Sequence, residues 1–187
     1  MEKEKKSMKI EDIRELCKEA HENAVRHGFW DEEHDIRHYL MLVITELAEA
    51  VQAYRKNKFA DRNEYEKLVK ERGCAEDTAF LLSVKDTFED EMADACIRLM
   101  DLAGASIVEC EFRDTVRFAE GFNAHREITE VIWNATHFIE TKCYVEPDIL
   151  ACYLIRMCEA MGIDIEWHIR AKMAYNVSRP YLHVNKF

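Results

Sequence analysis

The chain has 187 residues, of which 48% are hydrophobic, enough for one domain with a real core and too apolar for a disordered segment. Its formal charge of -11 sets it against nucleic acid and anionic membranes as partners, and admits a phosphorylated small ligand only where metal ions or a local basic cluster screen the repulsion. Only 5 Gly and 2 Pro leave few turn signals, so the expected fold class is all-α, within a single domain over 1–187.

Met1 to Lys6 read as a charged, frayed start. Apolar residues at helical spacing follow: Ile10, Ile13, Leu16, Cys17, Ala20 and Ala24, stopping near Gly28. After a short polar connection, a longer helix is expected from about His34 to Lys56, with Leu40, Val43, Ile44, Leu47, Val51 and Tyr54 on one face. Residues 57–84 are less regular, with a charged helical stretch around Tyr65, Leu68 and Val69 and a break at Gly73. A further helix spans about Asp86 to Ala105, with Asp86 and Thr87 available as caps and Met92, Cys96, Leu99 and Ala103 at core positions. Three more helical segments are expected at about 123–142, at 147–161 with Pro147 in the first turn and Gly162 just past the end, and at 164–176. Arg179 to Phe187 form a basic, aromatic tail.

No basic leader precedes an apolar stretch, and no long uncharged apolar run is present, which points to a cytoplasmic protein. Seven cysteines without CxxC pairing read as reduced, buried thiols rather than a disulfide frame or zinc site.

Two of the expected helices carry acidic pairs three residues apart, Glu46 with Glu49 and Glu91 with Asp94. Residues at that spacing share a helix side, so two such helices packed antiparallel gather four carboxylates, a donor set for hard divalent cations. Acidic pairs at this spacing also arise by chance in so acidic a chain, as at Glu19/Glu22 or Glu127/Glu130. The two chosen pairs differ in lying inside apolar runs, LMLVITELAEAV and EMADACIRLM, where a carboxylate is costly to bury unless paired or metal-bound. A di-iron carboxylate bundle is disfavoured because no His stands three residues after a Glu, and no Walker-type phosphate loop is present.

Taken together, TELAEAVQAYR and FEDEMADACIRLMDLAG resemble the paired Glu-x-x-Glu and Glu-x-x-Asp helices of the MazG-like all-α nucleoside-triphosphate pyrophosphohydrolases, a family that includes dimeric dUTPases and dCTP pyrophosphatases. HENAVRHGFW upstream and KMAYNVSRPY downstream extend the resemblance over most of the chain. The resemblance implies a helical bundle of that type with extra C-terminal helices, and Mg²⁺-dependent cleavage of a (d)NTP between the α and β phosphates. It assigns the metal to Glu46, Glu49, Glu91 and Asp94, as one or two Mg²⁺ ions with Mn²⁺ as a substitute, and the catalytic carboxylates to Glu46 and Glu49. Phosphate contacts fall to Lys172 and Asn176, with Tyr175 and Arg179 beside them on one ridge. His21 and Trp30, nine residues apart, take the base, and Phe29 adjoins them. The alternative for Phe29 and Trp30 is that they staple the first helix to the bundle.

The family relationship further implies a homodimer acting on a nucleoside triphosphate. Two departures stand out. Many relatives carry Glu where this chain has Thr45, leaving the general base unassigned. Glu49 and Glu91 are 42 positions apart, longer than usual, so 57–84 reads as an insertion between the two metal-binding helices, a lid or an oligomer contact. Arg98 and Asp101 continue the acidic face of the second helix, either as a supporting pair or as a plain polar stripe. A non-catalytic helical nucleotide- or metal-binding or assembly module on the same scaffold is the competing function.

Overall fold

A computed structural model of the chain describes residues 7–105, 128–141, 146–179 and 181. Among these residues there are eight helices and no strand: α1 (Ile10–Arg26), α2 (Ile36–Arg55), α3 (Arg62–Lys70), α4 (Glu76–Ser83), α5 (Phe88–Ala105), α6 (Ile128–Thr141), α7 (Pro147–Ala160) and α8 (Ile165–Val177). The all-α expectation holds, and none of the described helices is long and apolar enough to cross a membrane. The expectations for Met1–Lys6, for 123–127 and for most of the C-terminal tail lie outside the described residues.

Local chemistry accounts for the helix ends. The Asp35 carboxylate accepts from the Arg37 amide, Asp61 from Glu64 and Asp164 from Trp167, capping α2, α3 and α8. Thr87 Oγ1 accepts from the Asp90 amide while the Asp90 carboxylate accepts from the Asp86 amide, a reciprocal arrangement that starts α5. Pro147 opens α7 as expected. At the end of α1, Gly28 has φ +83°, with its amide bonded to the Val25 carbonyl and the Phe29 amide bonded to the Ala24 carbonyl. This is a Schellman turn, and it reverses the chain so that Trp30 comes back against the bundle.

The central rod is α5, which packs against α1, α2, α7 and α8. Its expected core positions Met92, Cys96, Leu99 and Ala103 are all buried, with Ile13, Leu16, Val43, Leu47, Leu154 and Ile169 from its neighbours. At Gly104 the backbones of α1 and α5 nearly touch. A Cβ there would lie 2.4 Å from the Cys17 carbonyl oxygen and 2.7 Å from the Cβ of His21. Burial pushes the thiols of Cys96 and Cys158 up, and the five described cysteines are unbridged. Tyr54 departs from its expected core position: it is exposed at the end of α2, edge-on to Phe59 and Phe88, because the chain leaves the core there for the 57–61 connection.

The segment 57–84 folds as α3 and α4 and is tied to the bundle at both ends. The Lys58 carbonyl accepts from the Phe88 amide, Glu89 accepts from the Ala60 amide, and Arg62 pairs with Asp164 while lying over the Trp167 ring. Helix α4 rests on α8, with Phe80 stacked on Tyr175 at 4.8 Å.

Candidate functional site

Glu91, Asp94, Arg98 and Asp101 follow one another on α5 at steps of three, four and three, so they form one stripe along its side. Helix α2 brings Glu46 against that stripe. Ligand oxygens of Glu46, Glu91 and Asp94 all lie within 4.8 Å of one another, and Glu46 and Glu91 are only 8% and 5% exposed. A second trio, Asp86, Asp90 and Glu91, shares Glu91 with the first. Glu49, one turn beyond Glu46, is exposed and outside both trios, although its charge is felt by Glu46 and Glu91.

Two cations answer these acids. Arg98 donates from Nε to Glu46 at 2.6 Å. Lys172, from α8, reaches across the core to place Nζ 2.6 Å from Asp94 and 3.0 Å from Asp90, and is itself 5% exposed. Such burial opposes the ammonium charge, but Asp94 and Asp90 outweigh it and hold Lys172 protonated. Glu91 has no such cation in direct contact among the described residues. Burial pushes its carboxyl up to about 8, with the Asp90 and Asp94 charges adding to the effect. Burial also raises Asp90 to about 6 against the pull of Lys172, and raises Glu46 against that of Arg98. The cluster therefore holds more carboxylate than its own cations neutralise, and prefers to retain protons.

The second half of the stripe faces α1. The Asp101 carboxylate lies 2.8 Å from Nδ1 of His21 and accepts from Trp30 Nε1 at 2.9 Å. The His21 ring stands edge-on to Trp30 at 5.1 Å, and Trp30 stacks on Tyr39 at 4.7 Å. Three sequence features make this possible: the Schellman turn at Gly28 returns Trp30, the Gly104 crossing lets His21 approach α5, and Asp101 supplies the acceptor.

The remaining expected residues fall around these two centres. Phe29 is half-buried beside Trp30 and takes no part in the ring stack. Asn176 lies one turn beyond Lys172, and its buried Oδ1 has no hydrogen-bond partner among the described residues. Tyr175 packs on Phe80, whereas Arg179 is exposed just past the end of α8. The expected ridge of Lys172, Tyr175, Asn176 and Arg179 is thus graded, buried at Lys172 and open at Arg179. Sequence reasoning missed Asp90, Tyr39 and Phe80. The signal for Asp90 was present, since it stands one helical turn before Asp94 and three residues after a capping Thr.

The donor set fits a hard divalent cation. Three carboxylates from two helices, two of them buried and the third, Asp94, partly so, converge within 4.8 Å, compatible with the roughly 3–4 Å between oxygens sharing an ion at about 2.1 Å. Neither Cys nor His belongs to the cluster, which disfavours softer metals. Compared with known proteins, the chain matches no family model, no curated protein and no solved structure. What stands is an all-α protein with a buried acidic cluster suited to a metal ion, joined along one helix to a polar aromatic site.

Proposed function

We propose that the chain is an Mg²⁺-dependent nucleotide pyrophosphohydrolase of the MazG-like type, cleaving a (d)NTP between the α and β phosphates to the monophosphate and pyrophosphate, and working as a homodimer. The observation that carries this reading is the convergence of Glu46, Glu91 and Asp94 beside the buried, charged Lys172.

Glu46, Glu91 and Asp94 would hold the ion, with Glu49 at the rim. Bound there, Mg²⁺ supplies charge neutralisation for the phosphates and lowers the pKa of a coordinated water. Lys172, fixed by Asp90 and Asp94, presents a permanent cation to phosphate oxygens without a reorganisation cost. The Asn176 side chain, one turn further, donates through its amide to the same phosphates. His21 and Trp30 orient the base, so that the reacting phosphate meets the carboxylates in one alignment. Thr45 is exposed and donates its hydroxyl to the Met41 carbonyl, and a neutral hydroxyl is too weak a base to take a proton from water. That task falls to Glu49, which is exposed and makes no ion pair among the described residues.

One observation favours a different reading. Arg98 and Lys172 already neutralise Glu46 and Asp94, as they would in a non-catalytic helical module. Incubation with Mg²⁺ and a panel of canonical and modified (d)NTPs, scored by pyrophosphate and monophosphate release, separates the two. The enzyme reading expects turnover of at least one substrate and a loss of about 100-fold or more in Glu49→Ala and Glu91→Gln, as for removal of a catalytic acid–base group or metal ligand. Mg²⁺-dependent nucleotide binding without turnover would leave the module.

A further inference from the structure

Asp101 belongs neither to the acidic cluster nor to the residues expected at the base, yet it makes the hydrogen bonds that hold both of the latter. Its side chain is 15% exposed, and both of its oxygens lie within 3.2 Å of the Trp30 indole nitrogen. An indole N–H can only donate, so Asp101 is an acceptor there. Oδ1 also lies 2.8 Å from His21 Nδ1. Burial raises the Asp101 carboxyl, opposed by its hydrogen bonds to His21 and Trp30. Both oxygens face the Trp30 donor and Oδ1 receives that N–H, so Oδ1 meets His21 as an acceptor too and the proton between them resides on His21 Nδ1. In the neutral imidazole the lone pair is then on Nε2, at the far edge of a ring whose side chain is 27% exposed and which has no other hydrogen bond among the described residues.

We propose that Asp101 is the positioning residue of the base site: it sets His21 as the Nδ1–H tautomer and locks the plane of Trp30, so that His21 Nε2 is offered as a hydrogen-bond acceptor to an N–H of the nucleobase. The proposal rests on the reading of His21 and Trp30 as base contacts, and it adds the direction in which the hydrogen bond runs. Asp101 acts through His21 and does not touch the ligand. The chemistry it selects is a ring imide or an exocyclic amine. A base edge that presents only acceptors at this point is rejected, because two facing lone pairs leave both desolvated and unpaired.

Asp101→Leu is the discriminating variant. It removes the Oδ1 acceptor that His21 Nδ1 and Trp30 Nε1 share, so nothing holds the proton on Nδ1 and the ring reverts to the Nε2–H form that a free neutral imidazole side chain favours. Long-range ¹H–¹⁵N correlation of the neutral His21 ring is expected to show Nδ1–H in the unaltered protein and Nε2–H in the variant. With the (d)NTP turned over best, KM is expected to rise about tenfold or more, the usual cost of a misdirected buried hydrogen bond, with kcat within about threefold. In a His21→Phe background the same change should add less than about twofold, since the two residues act as one unit.

An Nε2–H tautomer in the unaltered protein overturns the proposal, and that measurement needs no variant to fold. So does a fall in kcat at unchanged KM, or additivity in the His21→Phe background. If no nucleotide is turned over, the function proposed above fails, while the imidazole spectra still report whether Asp101 sets the tautomer. Turnover with an unflipped tautomer sinks only the present inference.

Discussion

Lys172 shows how much a single side chain is asked to do. Its ammonium lies among Asp90 and Asp94 with almost no solvent contact, and Asp90 is 1% exposed. Removing the cation strands a buried carboxylate, so Lys172→Met is expected to lower stability by about 3–5 kcal/mol in urea denaturation, and Lys172→Met with Asp90→Leu to recover much of that loss. The spacing of Lys172 and Asn176 was visible in the sequence, but the burial of Lys172 was not. Periodicity reports which residues share a helix face; it is silent on which other helix covers that face. Asp90 was overlooked for the same reason, because the partner that gives it meaning lies 82 residues away. Glu49 is the converse case: it shares its spacing with Glu46, yet it is exposed.

At the scale of elements, α1 and α5 cross in backbone-to-backbone contact at Gly104. Gly104→Ala would push a methyl into the Cys17 carbonyl and the stem of His21, neither of which can yield without moving α1. The expected cost is about 1–3 kcal/mol in thermal or urea unfolding. A weakened His21–Asp101 hydrogen bond should accompany it, seen as a change in the His21 ring ¹⁵N shifts. The helices α1, α2, α5, α7 and α8 were legible from apolar spacing and caps, to within two residues at their ends. The stretch 57–84 was legible only as irregular, since its two helices are short and α4 lacks a polar cap. Its attachment through Phe80 and Arg62 to α8 depends on aromatic and charged contacts that have no period to detect.

For the whole molecule, the response to pH is set by buried groups that titrate in opposite senses. Burial pushes His168, on the inner side of α8, down to about 4; nearby Asp164 raises it and Arg62 lowers it. A histidine with a depressed folded pKa contributes stability that is complete above its unfolded value of about 6.5 and is lost as pH falls toward 4. The shift corresponds to about 3 kcal/mol, so stability in urea is expected to drop between about pH 6.5 and 4, and His168→Leu to flatten that drop. Glu91 runs the other way. Its raised pKa means that its contribution is present below about 4.5 and lost as pH rises through about 8.

Because Glu91, Asp94 and Asp101 ride on one uninterrupted helix, α5 also serves as a ruler. Ten residues of helix put Asp101 about 15 Å from Glu91 along the axis, and each residue added or removed turns everything beyond it by about 100°. Deleting one residue between Asp94 and Asp101 would leave the acidic cluster standing while swinging Asp101 away from His21 and Trp30. Register, more than the identity of the intervening side chains, is what joins the two halves of the site.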